Sequence, residues 1–146
     1  MSSWRDGLNA AAQADLDHLL DSALAIARAN LAKASEFDPF ALVVDTGGRL
    51  LAAESDTTAL SKHPETEELV AATLEQLQGM RRHCRAVALT LNTKLAHERT
   101  NAIEVRLEHS EGASLVVLLR YKRPMFGPHL EFGQLSAFPG AHEVWN

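Results

Sequence analysis

Four groups of residues in this chain carry side chains of the kind that do chemistry. The first is Asp45-Thr46-Gly47-Gly48, a carboxylate at the head of a tight turn between two apolar runs. One carboxylate there would be half of an acid–base pair, because two close carboxyls share a proton and their pKa values split. The second is His63-Pro64-Glu65, an imidazole and a carboxylate that together offer a metal ligand and a proton shuttle. A catalytic zinc would need two more protein ligands beside that histidine. Cys84 is the third, set among Arg81, Arg82, His83 and Arg85, where close positive charge would lower a thiol pKa. Its use as a nucleophile also requires an oriented base, and the side chain of the adjacent His83 diverges from it. The fourth group is the set of seven histidines. None forms the i, i+4 pair of a helical zinc site, and His129 with Glu131, alternate on one strand face, comes nearest to a ligand pair.

Every one of these residues also has a plainer use. Asp and Gly are what a tight hairpin prefers, His-Pro-Glu is an ordinary helix start, and a lone cysteine at a helix end is normally inert. No complete catalytic set assembles from the sequence, and neither a metal nor a cofactor is expected.

The elements that must position these residues are more legible. Across residues 9–34, Leu16, Leu19, Leu20, Ala23, Leu24, Ala27 and Leu31 recur at spacings of three and four, the stripe of an amphipathic helix. Its Asp15, Asp17 and Asp21 come early and Arg28 and Lys33 late, which complements the helix dipole. Asp38-Pro39 then breaks the helix, because the residue before a proline is pushed out of helical geometry. A hairpin is predicted over residues 40–54, followed by a polar connector at 55–62. A second helix opens at His63-Pro64-Glu65, with Glu65, Glu67 and Glu68 at its positive end and Leu69, Val70, Leu74, Leu77 and Met80 as its buried face.

Strands are predicted over residues 86–92, 103–108, 113–121 and 129–137, with a polar loop at 93–100 and another loop at 122–128. Ile103, Val105 and Leu107 alternate with Glu104, Arg106 and Glu108, one face to the core and one to water. Leu115-Val116-Val117-Leu118-Leu119 is apolar on both faces, so this strand is expected to be central and covered on both sides. The whole chain, residues 1–146, is expected to be one α+β domain of order α-β-β-α-β-β-β-β. The expected fold is an antiparallel sheet of five or six strands with both helices on one face. Cover for the doubly apolar strand then comes from a second subunit or from a ligand held on a concave sheet, and a homodimer is the preferred form.

Bulk properties narrow the function classes. A formal charge of -5 and 5% aromatic content argue against nucleic acid, which is bound through a basic field and stacked through aromatic rings. No apolar run approaches the roughly 20 residues that span a bilayer, so no membrane role is expected. Residues 1–14 lack a basic start and an apolar core, and Cys84 has no partner for an internal disulfide, so a cytoplasmic setting is expected.

Several resemblances attach to these residues. Val43-Val44-Asp45-Thr46-Gly47 resembles the signature of aspartic peptidases, which would make Asp45 catalytic in a dimer; the chain lacks the downstream hydrophobic-hydrophobic-Gly element, and Gly48 replaces the usual small Ser, Thr or Ala. Residues 16–77, with Pro39-Phe40, the Val-Val-Asp-x-Gly-Gly-Arg-Leu-Leu-Ala hairpin and His63-x-Glu65, resemble the first half of the cytidine-deaminase-like zinc enzymes. That resemblance implies zinc on His63 and proton transfer by Glu65, but the family's Pro-Cys-x-x-Cys has no counterpart here. The order of elements is similar to that of roadblock and profilin-like dimeric modules, which implies a partner-binding scaffold on topology alone. Over its whole length the chain resembles a group of small uncharacterised bacterial proteins, a domain of unknown function. The shared features are Pro39-Phe40, the turn from Asp45 to Gly48, Phe138-Pro139-Gly140 and Trp145.

The reading that follows is a non-catalytic binding or interaction module, dimeric, that takes a partner protein or a small ligand. The alternative is a hydrolase or deaminase-like enzyme using His63, Glu65 or Asp45. Candidate binding residues are Arg81, Arg82 and Arg120, as an anion patch, and Phe138 and Trp145, as an apolar interaction surface at the C-terminal end.

Overall fold

The three- and four-residue spacing of leucine and alanine makes helix α1, Ala10–Lys33, in a computed structural model that describes residues 9–54, 60–125 and 129–146. The connector expected at 55–62 and the loop expected at 122–128 fall partly outside the described residues. The Asn9 side chain starts α1 by accepting a hydrogen bond from the Ala12 N–H at 2.7 Å, satisfying one of the helix's orphan donors. The strands are β1 (Phe40–Asp45) and β2 (Leu50–Ala53), then, after helix α2 (Thr66–Met80), β3 (Cys84–Leu95), β4 (Thr100–His109), β5 (Ser114–Lys122) and β6 (Glu131–Pro139). They form a six-stranded sheet in the order β2-β1-β3-β4-β5-β6 with every neighbouring pair antiparallel. The α+β class and the order of elements are those read from the sequence.

Helix placement departs from the expectation of one covered face. Leu16, Leu19, Leu20, Ala23, Ala27 and Leu31 of α1 pack on Leu42, Val44, Ala86, Ala88, Ile103, Val105, Leu107 and the odd-numbered side chains of β5. Each of Leu16, Leu19 and Leu31 is essentially solvent-free, and such burial contributes about 2 kcal/mol per side chain. On the opposite face a second core gathers Ala41, Val43, Val87 and Leu89 under Leu77, Val70, Leu74 and Met80 of α2. The reason is connectivity. β2 and β3 both run antiparallel to β1, hence parallel to each other, so α2 is a crossover connection with one strongly preferred hand. It does not choose its face by following α1.

Two other expectations are revised. β3 and β4 continue through the polar residues taken for a loop, with Thr93, Lys94 and Leu95 paired to Ala102, Asn101 and Thr100; the ladder is built by backbone groups and is indifferent to side-chain polarity. β5 is not central, since it lies next to the edge strand β6. Its Leu115, Val117, Leu119 and Tyr121 are buried against the α1 side, while Val116 and Leu118 on the other face are only half-buried, Val116 lining a small cavity with Leu74 and Leu77 of α2 and Val144.

The C-terminal segment partly replaces the missing cover. After β6, Gly140 N–H donates to the Ser114 carbonyl at 3.1 Å and Ser114 Oγ donates to the Ala141 carbonyl at 2.7 Å, which turns the chain back across the α2 side. There the Glu108 carboxylate accepts from the backbone N–H groups of Glu143, Val144 and Trp145, and Gln78 donates to the Glu143 carbonyl at 2.9 Å. Val144, 1% exposed, completes the second core. Glu108 had been assigned to a solvated face by the alternation of β4, but it is 4% exposed and latches the tail. Glu108→Ala should therefore lower unfolding free energy by about 2–3 kcal/mol, because it strands buried N–H donors that now meet a charged acceptor. Urea titration of a Trp4→Phe background, with Trp145 as the fluorophore, measures this; a loss below about 0.5 kcal/mol would refute the latch.

Candidate functional site

Two regions hold the residues with functional potential, one at an end of the sheet and one along its edge. At the end where β1 stops and β3 begins, Asp45 closes the hairpin turn by accepting from Arg49 through its backbone N–H at 2.8 Å and its Nε at 3.1 Å. The Gly48 N–H returns to the Asp45 carbonyl at 3.0 Å, and Gly48 adopts φ +88, open to glycine at little cost. The Arg49 backbone hydrogen bond, with its guanidinium and the Gly47 N–H, holds the Asp45 carboxyl below its ordinary value despite some desolvation. This carboxylate is committed to its own turn.

Behind the turn lies a buried polar group that the sequence reading passed over. Asp15, 8% exposed on the sheet-facing side of α1, accepts two hydrogen bonds from Arg85, from Nε and from the terminal guanidinium nitrogen, both at 2.9 Å. His109 Nε2 lies 2.9 Å from the same carboxylate. The other ring nitrogen, Nδ1, accepts from the Glu111 backbone N–H at 3.1 Å, so the hydrogen-bond pattern puts the imidazole proton on Nε2, facing Asp15. Burial alone would raise the Asp15 carboxyl, but the hydrogen bonds from Arg85 and His109, with the Arg85 charge, outweigh it and hold the group below its ordinary value of 3.8. A Cβ at Gly48 would sit 3.2 Å from the Arg85 guanidinium, so the hairpin turn and this group are packed as one unit.

The arrangement fastens and does not react. A general base needs a ring nitrogen open to substrate, and both nitrogens of His109 are occupied. A signal for Asp15 did exist: it stands three after Ala12 and four before Leu19, on the buried stripe itself, where an unpaired carboxylate is too costly to keep. The dipole argument accounts for an acid early in the helix but not for its place on the buried stripe.

The remaining candidates are dispersed. Asp45 sits beside the C-terminal end of α2, where Thr46 N–H donates to the His83 carbonyl at 3.1 Å. His63 and Glu65 lie at the other end of that 15-residue helix, about 22 Å away. Glu65 is the N-cap of α2, and Glu68 accepts from its backbone N–H at 3.4 Å. Among the described residues no three His, Cys, Asp or Glu side chains gather as a metal group, and His129 and Glu131 are exposed. Cys84 is buried, and burial followed by the Asp45 charge pushes its thiol up, the reverse of what its basic neighbours suggested.

Arg81 and Arg82 are exposed at the end of α2. Arg120, seven registers from His109 along the ladder at Ala102, is near the opposite end of the sheet, about 23 Å away. It is engaged by Glu98 at 2.9 Å and donates to Ser136 Oγ at 2.7 Å, and that pairing holds the Glu98 carboxyl low. The three arginines do not form one anion patch. Trp145 packs half-buried on the α2-side core, whereas Phe138 stays 46% exposed.

No protein family, curated protein or solved structure matches this chain. Among the described residues no helix is long and apolar enough to cross a membrane. Function is therefore argued from the surface itself, where β6 stands out. It is the edge of the sheet, and Phe132, Leu135 and Phe138 along it are 37%, 53% and 46% exposed. Arg28 of α1 lies over the Phe132 ring at 4.7 Å from its centre, and that ring contacts Tyr121. Residues 132–141 include no charged side chain, although edge strands are ordinarily guarded by charge.

Two outcomes test the polar end. Asp15→Asn should cost about 2 kcal/mol at pH 7, between a surface pair and a fully buried one. Because the folded carboxyl is lowered, its contribution is complete above pH 3.8 and is lost as pH falls through the folded value. Wild-type and variant unfolding curves should thus converge in acid, and a gap unchanged from pH 7 to pH 3 would refute the assignment. Cys84 in the folded chain should react with iodoacetamide at pH 8 at least about tenfold more slowly than in urea; equal rates would contradict its burial.

Proposed function

We propose that this chain is a non-catalytic interaction module whose binding surface is the β6 edge, and that it takes an extended polypeptide segment as an added strand. The observation that carries this reading is the uncharged, apolar-studded edge at Phe132, Leu135 and Phe138, beside the half-buried Leu118. Strand addition uses exactly such material in physical terms: unpaired backbone groups supply affinity and alternate side chains supply selectivity. The orientation of the edge is given by its neighbour. Gly140 N–H donates inward to Ser114, so by the two-residue alternation of an antiparallel ladder Ser136 and Phe138 also turn their backbone groups to β5, while Leu135, Ala137 and Pro139 turn theirs outward. Pro139 has no N–H to offer, which an edge position tolerates. The outward donors are then Leu135 and Ala137.

The enzymatic alternative through Asp45, His63 and Glu65 loses support from their separation and from the engagement of Asp45 and Glu65 in local structure. A small ligand is the weaker binding reading. The cleft of about 610 Å³ between α1 and β2, lined by apolar Ile26, Phe37, Phe40 and Ala52 and by polar Asn30, Lys33, Glu36, Asp38 and Glu54, is open to solvent and would leave a small ligand largely exposed.

Selection of a random peptide library displayed on phage against the full chain tests the proposal. Selected peptides should be rich in β-branched and aromatic residues, and Ala137→Pro, which removes one outward N–H without adding charge, should weaken their binding at least about tenfold. Peptides that bind Ala137→Pro as well as wild type would place the surface elsewhere.

A further inference from the structure

β6 is shielded at both of its ends and bare in its middle. Toward its start the register with β5 shifts between Leu119 and Tyr121, where Gly133 lies against Arg120, its virtual Cβ 3.7 Å from the Arg120 Cβ and carbonyl. A bulge of this kind twists an edge away from neighbours. At its finish, Pro139 removes a donor. Between them the outward groups are the N–H and C=O of Leu135 and of Ala137, together with the Pro139 carbonyl.

That set can be satisfied by a second copy of the same strand, and the Pro139 that lacks a donor falls outside the paired stretch. If two copies are turned about a two-fold axis at Ser136, Leu135 of each strand stands opposite Ala137 of the other. Each of those two pairs exchanges N–H and C=O in both directions, so every outward donor from 135 to 139 is used. Side chains agree with the backbone. Leu135, 53% exposed, meets the small Ala137 directly and the second Leu135 on the diagonal, within reach of a long side chain. Both lie on the α1 side, in register with Leu119 and Val117, so the apolar strip of one copy continues into the other. Two chains of formal charge -5 repel over most of their surface, but residues 132–141 carry no charge, the Arg120 beside each Ser136 is neutralised by Glu98, and Glu131 falls at opposite ends of the pair.

Resting on the reading of β6 as the binding surface, we infer that its partner is a second copy of this chain: β6 pairs with β6 antiparallel about Ser136, joining the two sheets into one. The contact is small, in the transient class below about 1,200 Å² in total, so association belongs in the range of tens to hundreds of micromolar.

Sedimentation equilibrium of the full chain tests this. The weight-average mass of wild type should rise clearly above 15.9 kDa between about 50 and 500 µM and fit a monomer–dimer equilibrium, and its Leu135 and Ala137 amides should gain protection from hydrogen exchange as concentration rises. Ala137→Pro and Leu135→Lys should each weaken association at least about tenfold while keeping the circular dichroism melt of wild type. Leu51→Lys, on the opposite edge strand β2, should leave it unchanged. A dimer broken by Leu118→Glu but not by Ala137→Pro would overturn β6 pairing in favour of face-to-face stacking. A wild type still monomeric at about 500 µM would overturn self-pairing altogether. In that case phage-selected peptides sensitive to Ala137→Pro would leave a foreign strand as the partner, whereas the absence of any such peptide would remove the strand-binding reading as well.

Discussion

β1 and β3 are apolar on both of their faces, and the architecture is organised around covering them twice. Leu42, Val44, Ala86 and Ala88 face α1, while Ala41, Val43, Val87 and Leu89 face α2. Neither helix alone removes both sets from water, and a strand pair of this kind is stable only between two layers. The hairpin that precedes α2 ends at the sheet's far edge, and the strand that follows α2 must return beside β1. The crossover this demands carries α2 to the second face, and the last residues of the chain complete the cover where α2 ends. Beyond that limit the α2 side of the sheet lacks cover, which is why Leu118 and Phe138 on that side stay partly exposed.

Three carboxylates that look available for chemistry act as fasteners. Asp45 closes its own turn on Arg49, Asp15 joins α1 to β3 and β4 through Arg85 and His109, and Glu108 ties the tail to β4. In each case the carboxylate meets several donors at once, which satisfies its acceptor oxygens within the fold. Having spent their acceptor capacity on structure, none has a free oxygen directed at a cleft with a partner base. Burial likewise counts against the suggested reactivity of Cys84, which packs in the second core and whose thiol is pushed up by that burial and by the Asp45 charge.

Interaction potential concentrates where cover is lacking. The edge at β6 lies as far from α2 as the sheet allows, and the polar clamp that stiffens the other end does not reach it. Leu135 and Phe138 remain exposed on opposite sides of the same strand. Phe138 was singled out from the sequence as part of an interacting C-terminal end, while its companion Trp145 proved to be a packing residue. What separates them is the turn at Gly140, where a Cβ would sit 2.8 Å from Ser114 Oγ and 3.0 Å from the Leu115 backbone nitrogen. Glycine alone lets the chain fold back so closely.

Local pattern determined the elements of this protein. The stripe of α1, the Asp-x-Gly-Gly turn and the alternation of β4 depend on neighbours three, four or two residues away, and such short-range information is written directly in the chain. Strand ends blurred where backbone pairing ran on past the apolar residues, as at Thr93 to Leu95. Only the tertiary structure decided which face α2 covers, that β5 is penultimate, and that Asp15, Arg85 and His109 meet across 94 residues of sequence. Those outcomes depend on the handedness of a crossover and on the pairing of distant strands, and no window of sequence records either. The edge strand belongs to both levels: its uncharged run is plain in the sequence, but that it stands unpaired at the margin of the sheet is a fact of topology alone.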